Sequence, residues 1–155
     1  MARVYLETSF FSACVSTRKT PKSVGWRVTS NEWWRALAPK HTLLISDEVV
    51  AELADSEFPG RDAALEMLRG LQLLELTPDV RDVAELFVRE KLMPAPAVSG
   101  DAIHAAVATV HRVDFLVTWN ARHLANNNKR IHFATVCFRL GLVPPQIVTP
   151  DLLQE

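Results

Sequence analysis

Cysteine is scarce. Cys14 and Cys137 are the only two in 155 residues, and they stand far apart with no CxxC pair. That spacing makes no disulfide framework. The expectation is two reduced, buried thiols in a cytoplasmic protein. Clusters of Cys or His that would hold zinc are also missing. Long apolar runs are absent: no stretch of about 18 apolar residues exists, so no membrane-spanning helix is expected. Glu7 interrupts the apolar N-terminal segment before it reaches the length of a signal-peptide core. Net charge is nearly absent too, with 17 Lys and Arg against 18 Asp and Glu. This excludes a protein that coats nucleic acid through bulk charge, so any such role must come from a local patch or a metal. There is no internal repeat, no low-complexity tract, no Walker-type glycine loop and no Asp-x-Asp after the first apolar run. These absences count against a P-loop enzyme and against a small-molecule phosphatase.

What is present is the balance of a globular domain, 48% hydrophobic and 23% charged. The length suits a single domain over residues 1–155 with one core. Short apolar runs alternate with amphipathic ones. Strands are expected at 4–6, 42–45, 73–77, 115–118 and 146–148. A Ser/Thr-containing loop is expected after the first strand. Helices are expected at 24–37, from Asp47 through Leu53, at 63–71, from Pro78 to Met93, from a Ser99 cap to about His111, and from Ala121, interrupted at Asn126–Asn128 and resumed at 131–140. Alternation of this kind predicts an α/β fold with a parallel sheet covered on both faces.

In such sheets the chemistry lies beyond the carboxyl ends of the strands. Glu7, Thr8 and Ser9 follow the first strand. Asp47 and Glu48 follow the second, with Glu52 one helical turn on. Asp101 lies in the first turn of the helix that precedes the fourth strand, and Asn120 follows that strand. Carboxylates gathered in one crevice repel unless a cation neutralises them. A hard divalent cation such as Mg²⁺ takes oxygen ligands and suits phosphodiester hydrolysis. Each residue also has an ordinary reading: Glu7 as a solvated strand end, Glu48, Glu52 and Asp101 as helix-surface acids, Asn120 as a cap, His104 and His111 as structural histidines. The pairs Phe10/Phe11 and Trp33/Trp34 either fill the core or anchor a partner.

Four segments carry a resemblance: VYLETSFFS at 4–12, ISDEVVAE at 45–52, GDAIHAA at 100–106 and LVTWNARHLAN at 116–126. In this order they resemble the PIN domain family, and more narrowly the VapC-like ribonuclease toxins of toxin–antitoxin pairs. The resemblance implies a three-layer α/β/α sandwich with a central, mainly parallel sheet. It implies cleavage of RNA with Mg²⁺ or Mn²⁺. The acidic positions fall on Glu7, Glu52 and Asp101, and a fourth polar position falls on Asn120. Glu7 and Asp101 would bind the metal directly, and Glu52 would bind it through water or act as a base. Thr8, Ser9 or Thr118 would bond to these ligands, and Asn120 would orient one. Glu7 departs from the usual Asp, and His123 stands where many members carry another acid. A catalytically weak or inactive module that binds RNA or protein is the alternative these departures allow. Resemblance further implies a homodimer and a cognate antitoxin.

The substrate contact is expected from local charge. Residues 18–40 hold six basic side chains against Glu32 alone, and residues 112–140 hold five against Asp114. Two basic rims beside an acidic pocket would cradle an RNA backbone. Scattered solvated charge is the plain alternative.

Overall fold

The structure is a computed structural model and describes residues 1–120 and 127–154. Five strands, β1 (Arg3–Leu6), β2 (Thr42–Ser46), β3 (Gln72–Leu74), β4 (Phe115–Val117) and β5 (Gln146–Val148), form one sheet in the order β3-β2-β1-β4-β5. All four pairings are parallel. The helices are α1 (Thr8–Val15), α2 (Pro21–Ala36), α3 (Asp47–Asp55), α4 (Arg61–Met67), α5 (Pro78–Arg89), α6 (Asp101–Val110) and α7 (Asn127–Arg139). One group, α1 to α4, packs together; α5 packs on α6, and Phe87 meets Phe133 to join α5 to α7. The result is the expected three-layer α/β/α sandwich.

The central strand is β1, and Val4, Tyr5 and Leu6 are fully buried in it. A parallel strand covered on both faces needs apolar side chains on both, and this run supplies them. One point of the sequence reading changes and one that it left open is decided. The segment after β1 is α1 rather than a loop. Its Ser and Thr residues disguise a buried stripe of Phe10, Phe11, Ala13 and Cys14. Phe10, Phe11 and Trp33 are therefore core residues and not interface anchors, and Phe10 packs edge-on against Trp33 and Trp34.

Several boundaries also shift. α2 begins at Pro21 rather than residue 24, because Thr20 Oγ1 accepts from Ser23 N and Pro21 fits the first turn. α5 ends at Arg89 rather than Met93: Lys91 takes φ +60° and the Leu92 and Met93 amides turn back to Phe87 O. Ser99 is not the cap of α6. Gly100 holds that position at φ +71°, a left-handed conformation that a side chain disfavours. The expected helix start at Ala121, and His123, lie outside the described residues. Cys14 and Cys137 are unpaired and buried, and burial pushes both thiols up to about 12. No helix among the described residues is long and apolar enough to cross a membrane. At the far end of the chain a short 3-10 turn, Pro150–Leu152, leads to Leu153, whose carbonyl accepts from Trp33 Nε1 at 2.9 Å.

Candidate metal centre

Because β1 lies between β2 and β4, its carboxyl end is the middle of one sheet edge. Glu7 stands there as the N-cap of α1. Its Oε2 accepts from Ser9 N at 2.9 Å, Ser9 Oγ at 2.5 Å and Thr118 Oγ1 at 2.8 Å. The same carboxylate thus caps the helix and reaches across to Thr118, just past the end of β4. Three donors on one oxygen leave Oε1 as the atom able to turn into the crevice.

Glu52 projects from α3 on the β2 side. Thr8 Oγ1 donates to its Oε1 at 2.6 Å, and His104 Nε2 meets the same oxygen. Glu7, Glu52 and His104 each offer a ligand atom, and these atoms all lie within 4.8 Å of one another. Glu7 is 5% exposed and His104 fully buried, so little water screens their charge. Among the described residues no lysine or arginine pairs with Glu7, Glu48 or Glu52.

Asp101 begins α6 one turn before His104. Asn120 Nδ2 donates to its Oδ1 at 3.1 Å and its Oδ2 at 3.0 Å. Asn120 is held in turn by its own amide, which donates to Thr118 Oγ1 at 2.9 Å. Glu48 Oε1 accepts from Gly100 N at 3.1 Å, tying α3 to the start of α6. The four residues expected from the sequence thus occupy one sheet edge in two neighbouring sets. Glu7 and Glu52 form the first with His104, and Asp101 and Asn120 form the second. Sequence reasoning placed His104 as structural. The signal that it faces the acids is its spacing of three residues from Asp101, which shares a helix face.

The electrostatics follow from these contacts. Burial works against ionisation of Glu52, but the hydrogen bonds from His104 and Thr8 outweigh it and hold the carboxyl below its usual range. Burial likewise opposes charge on His104, yet its bond to Glu52 and the nearby Glu7 and Glu48 raise it above the ordinary histidine value. Burial raises Tyr5 well above the usual phenol value, so its hydroxyl stays neutral. The donor set fits a divalent cation. Each carboxylate is anchored through one oxygen with the other available, and two acids this close, with His104 beside Glu52 as their basic neighbour among the described residues, favour a bound positive charge.

A cleft of about 570 Å³ opens from Glu52, Thr8 and Ser9 along α1 and α2, lined further on by Ser12, Arg18 and Trp26. Trp26 stacks on Trp119 at 4.8 Å and carries Lys22 Nζ 4.5 Å above its ring. Trp119 is fixed by its Nε1 donating to Ser30 Oγ at 2.7 Å and its amide donating to Ser9 Oγ at 2.8 Å.

No family model matches the chain, and no curated protein does. Solved structures do. A chain of VapBC2 from Rickettsia felis, bound to a DNA fragment from its promoter, matches with TM-score 0.57 and 17% identity over 94% of this chain and 96% of that one. VapC20 of Mycobacterium tuberculosis, a toxin that cleaves the sarcin-ricin loop, matches with TM-score 0.58 and 19% identity over 77% of this chain and 92% of that one. VapBC-5 of the same organism, from the VapBC family of toxin–antitoxin systems, matches with TM-score 0.56 and 16% identity over 96% and 99%. These likenesses establish a shared fold, the one that the sequence motifs imply.

Proposed function

We propose that this chain is a metal-dependent endoribonuclease of the VapC-like PIN type. Glu7, Glu52 and Asp101 hold Mg²⁺ or Mn²⁺ in this reading. The observation that carries it is the convergence of Glu7 and Glu52 ligand atoms within 4.8 Å, Glu7 buried and Glu52 half-buried, with no lysine or arginine paired to either among the described residues. A divalent cation, when bound, lowers the pKa of a water and offsets charge on a phosphate oxygen.

The chain's own residues then have separate tasks. Glu7 and Glu52 each present one oxygen, the other being anchored by hydroxyl, amide or ring donors. Thr8 Oγ1 and His104 Nε2 both hold Glu52 Oε1, and a carboxylate fixed in this way suits a ligand role. Asn120 holds the Asp101 carboxylate in orientation. The cleft from Glu52 to Arg18 and Trp26 would seat the RNA strand beside the acids. Exposed Lys19 and Lys22 extend that wall with positive charge.

Cleavage of structured RNA in Mg²⁺ or Mn²⁺, compared with EDTA, tests the activity. Asp101→Asn should lower the cleavage rate at least about 100-fold, because it removes the charge of a residue that holds the cation on which the chemistry depends. Equal rates for the variant and the parent would reject the assignment. Saturable Mn²⁺ binding separates this reading from an inactive binding module. The structural neighbours from toxin–antitoxin systems support a cognate antitoxin as partner. A homodimer is part of the same reading, and a monomeric mass by light scattering at micromolar concentration would count against it.

A further inference from the structure

One buried ionisable side chain is not used by the chemistry above. His104 has no exposed surface, and both of its ring nitrogens are engaged. Nδ1 lies 2.7 Å from the Tyr5 hydroxyl, and Nε2 meets Glu52 Oε1. The Tyr5 hydroxyl is also 2.8 Å from Ser46 Oγ. Tyr5 and Ser46 are themselves fully buried. Four side chains from β2, β1, α6 and α3 therefore form one unbroken line of hydrogen bonds that ends on a carboxylate. Leaving any of these buried polar groups unpartnered would be costly, and the line is satisfied along its whole length.

The carboxylate sets the direction of its last bond. An ionised carboxylate only accepts, so Nε2 carries a proton and donates in either charge state of the ring. A nitrogen that donates has no lone pair left for a cation. Although His104 belongs to the cluster of atoms within 4.8 Å, this bonding makes it a partner of Glu52 rather than a third ligand. Glu52 needs such a partner, since its long side chain is only half-buried on a helix surface. Two donors, His104 Nε2 and Thr8 Oγ1, converge on Oε1 from different elements and leave Oε2 to turn toward Glu7.

We propose that His104 is a positioning residue. It fixes the Glu52 carboxylate for the cation, Tyr5 and Ser46 fix the ring, and His104 is not itself a metal ligand. This rests on the reading that Glu7, Glu52 and Asp101 hold a divalent cation. The test uses the purified full chain and Mn²⁺, followed by electron paramagnetic resonance. His104→Asn keeps an amide near Tyr5 but cannot reach Glu52, and should weaken Mn²⁺ affinity about tenfold or more, the scale for losing a group that orients a ligand. His104→Gln places an amide nitrogen near the position of Nε2 and should stay within about threefold of the parent. Tyr5→Phe, which removes one hydroxyl, should weaken affinity several-fold.

Parental affinity in His104→Asn, or a loss in His104→Gln equal to that in His104→Asn, would overturn the proposal. So would a directly bound nitrogen in the pulsed resonance spectrum of the Mn²⁺ complex. A metal-free measurement keeps this claim distinct from the function itself. If the parent binds no Mn²⁺, the metal reading fails, while a crystal structure of His104→Asn still decides the positioning. The Glu52 carboxylate leaving its place over an unchanged backbone supports it, and an unmoved carboxylate refutes it.

Discussion

Glu7 carries two duties on one carboxylate. It caps α1 and it faces the crevice. Removing it therefore has a structural cost apart from chemistry. Glu7→Ala should lower stability by about 1–3 kcal/mol, since three donors lose their acceptor. Urea unfolding monitored by tryptophan fluorescence would show this without any metal present. The His104–Glu52 pair gives a second expectation at this scale, for protein held in EDTA. The folded pKa of His104 is raised, so its contribution is full below about 6.5 and is lost as pH rises through the folded value. The folded pKa of Glu52 is lowered, so its contribution is present above about 4.3 and lost as pH falls through the folded value. Metal-free stability should then be best served by this pair between those limits, and His104→Asn should flatten the dependence. Melting temperatures across pH 4 to 8 would check it. The acids at this scale were legible in the sequence because Glu7 directly follows a strand, Asp101 opens a helix and Glu52 lies one turn beyond the acids that open α3. Tyr5 and Ser46 were not, because a buried hydroxyl in an apolar strand looks the same on paper whether or not it supports a charged site.

At the scale of elements, close packing sets limits that the sequence states only as punctuation. Pro59-Gly60 reads as a turn, yet Gly60 has φ −93° and needs no glycine for its backbone. It needs one for space: a Cβ there would stand 2.5 Å from Val15 Cγ2 and 2.8 Å from Val15 O. Gly60→Ala should destabilise the fold by about 1–3 kcal/mol by forcing α4 away from α1, read as a lower urea midpoint with unchanged slope. The strands and the longer helices were visible from period and punctuation. α1 was hidden by its Ser and Thr content, and only the packing of Phe10 and Phe11 under Trp34 makes the helix necessary.

For the whole molecule, strand order does what no local pattern reveals. Placing β1 between β2 and β4 brings residues 7, 52, 101 and 120 to one edge although they span most of the chain. A parallel sheet covered on both faces was inferred from alternation; the strand order and the division into two neighbouring sets were not, because long-range packing and side-chain reach decide them. The same arrangement sets basic residues beside the acids. Reversing charge at Arg18, Lys19 and Lys22 together should cut RNA affinity at low salt by about tenfold or more and flatten its salt dependence. Unchanged affinity in a binding assay with uncleavable RNA would reject that wall.

The anchoring of Leu153 under Trp33 has a practical side. That carbonyl clasps α2, the helix whose opposite end bears Lys22 and Trp26. Trimming the chain ahead of Leu153, or pulling on it with a bulky tag, would unfasten a latch far from the acids. On the proposed function, such a protein should still bind Mn²⁺ while gripping RNA less firmly, a defect easily mistaken for a damaged catalyst.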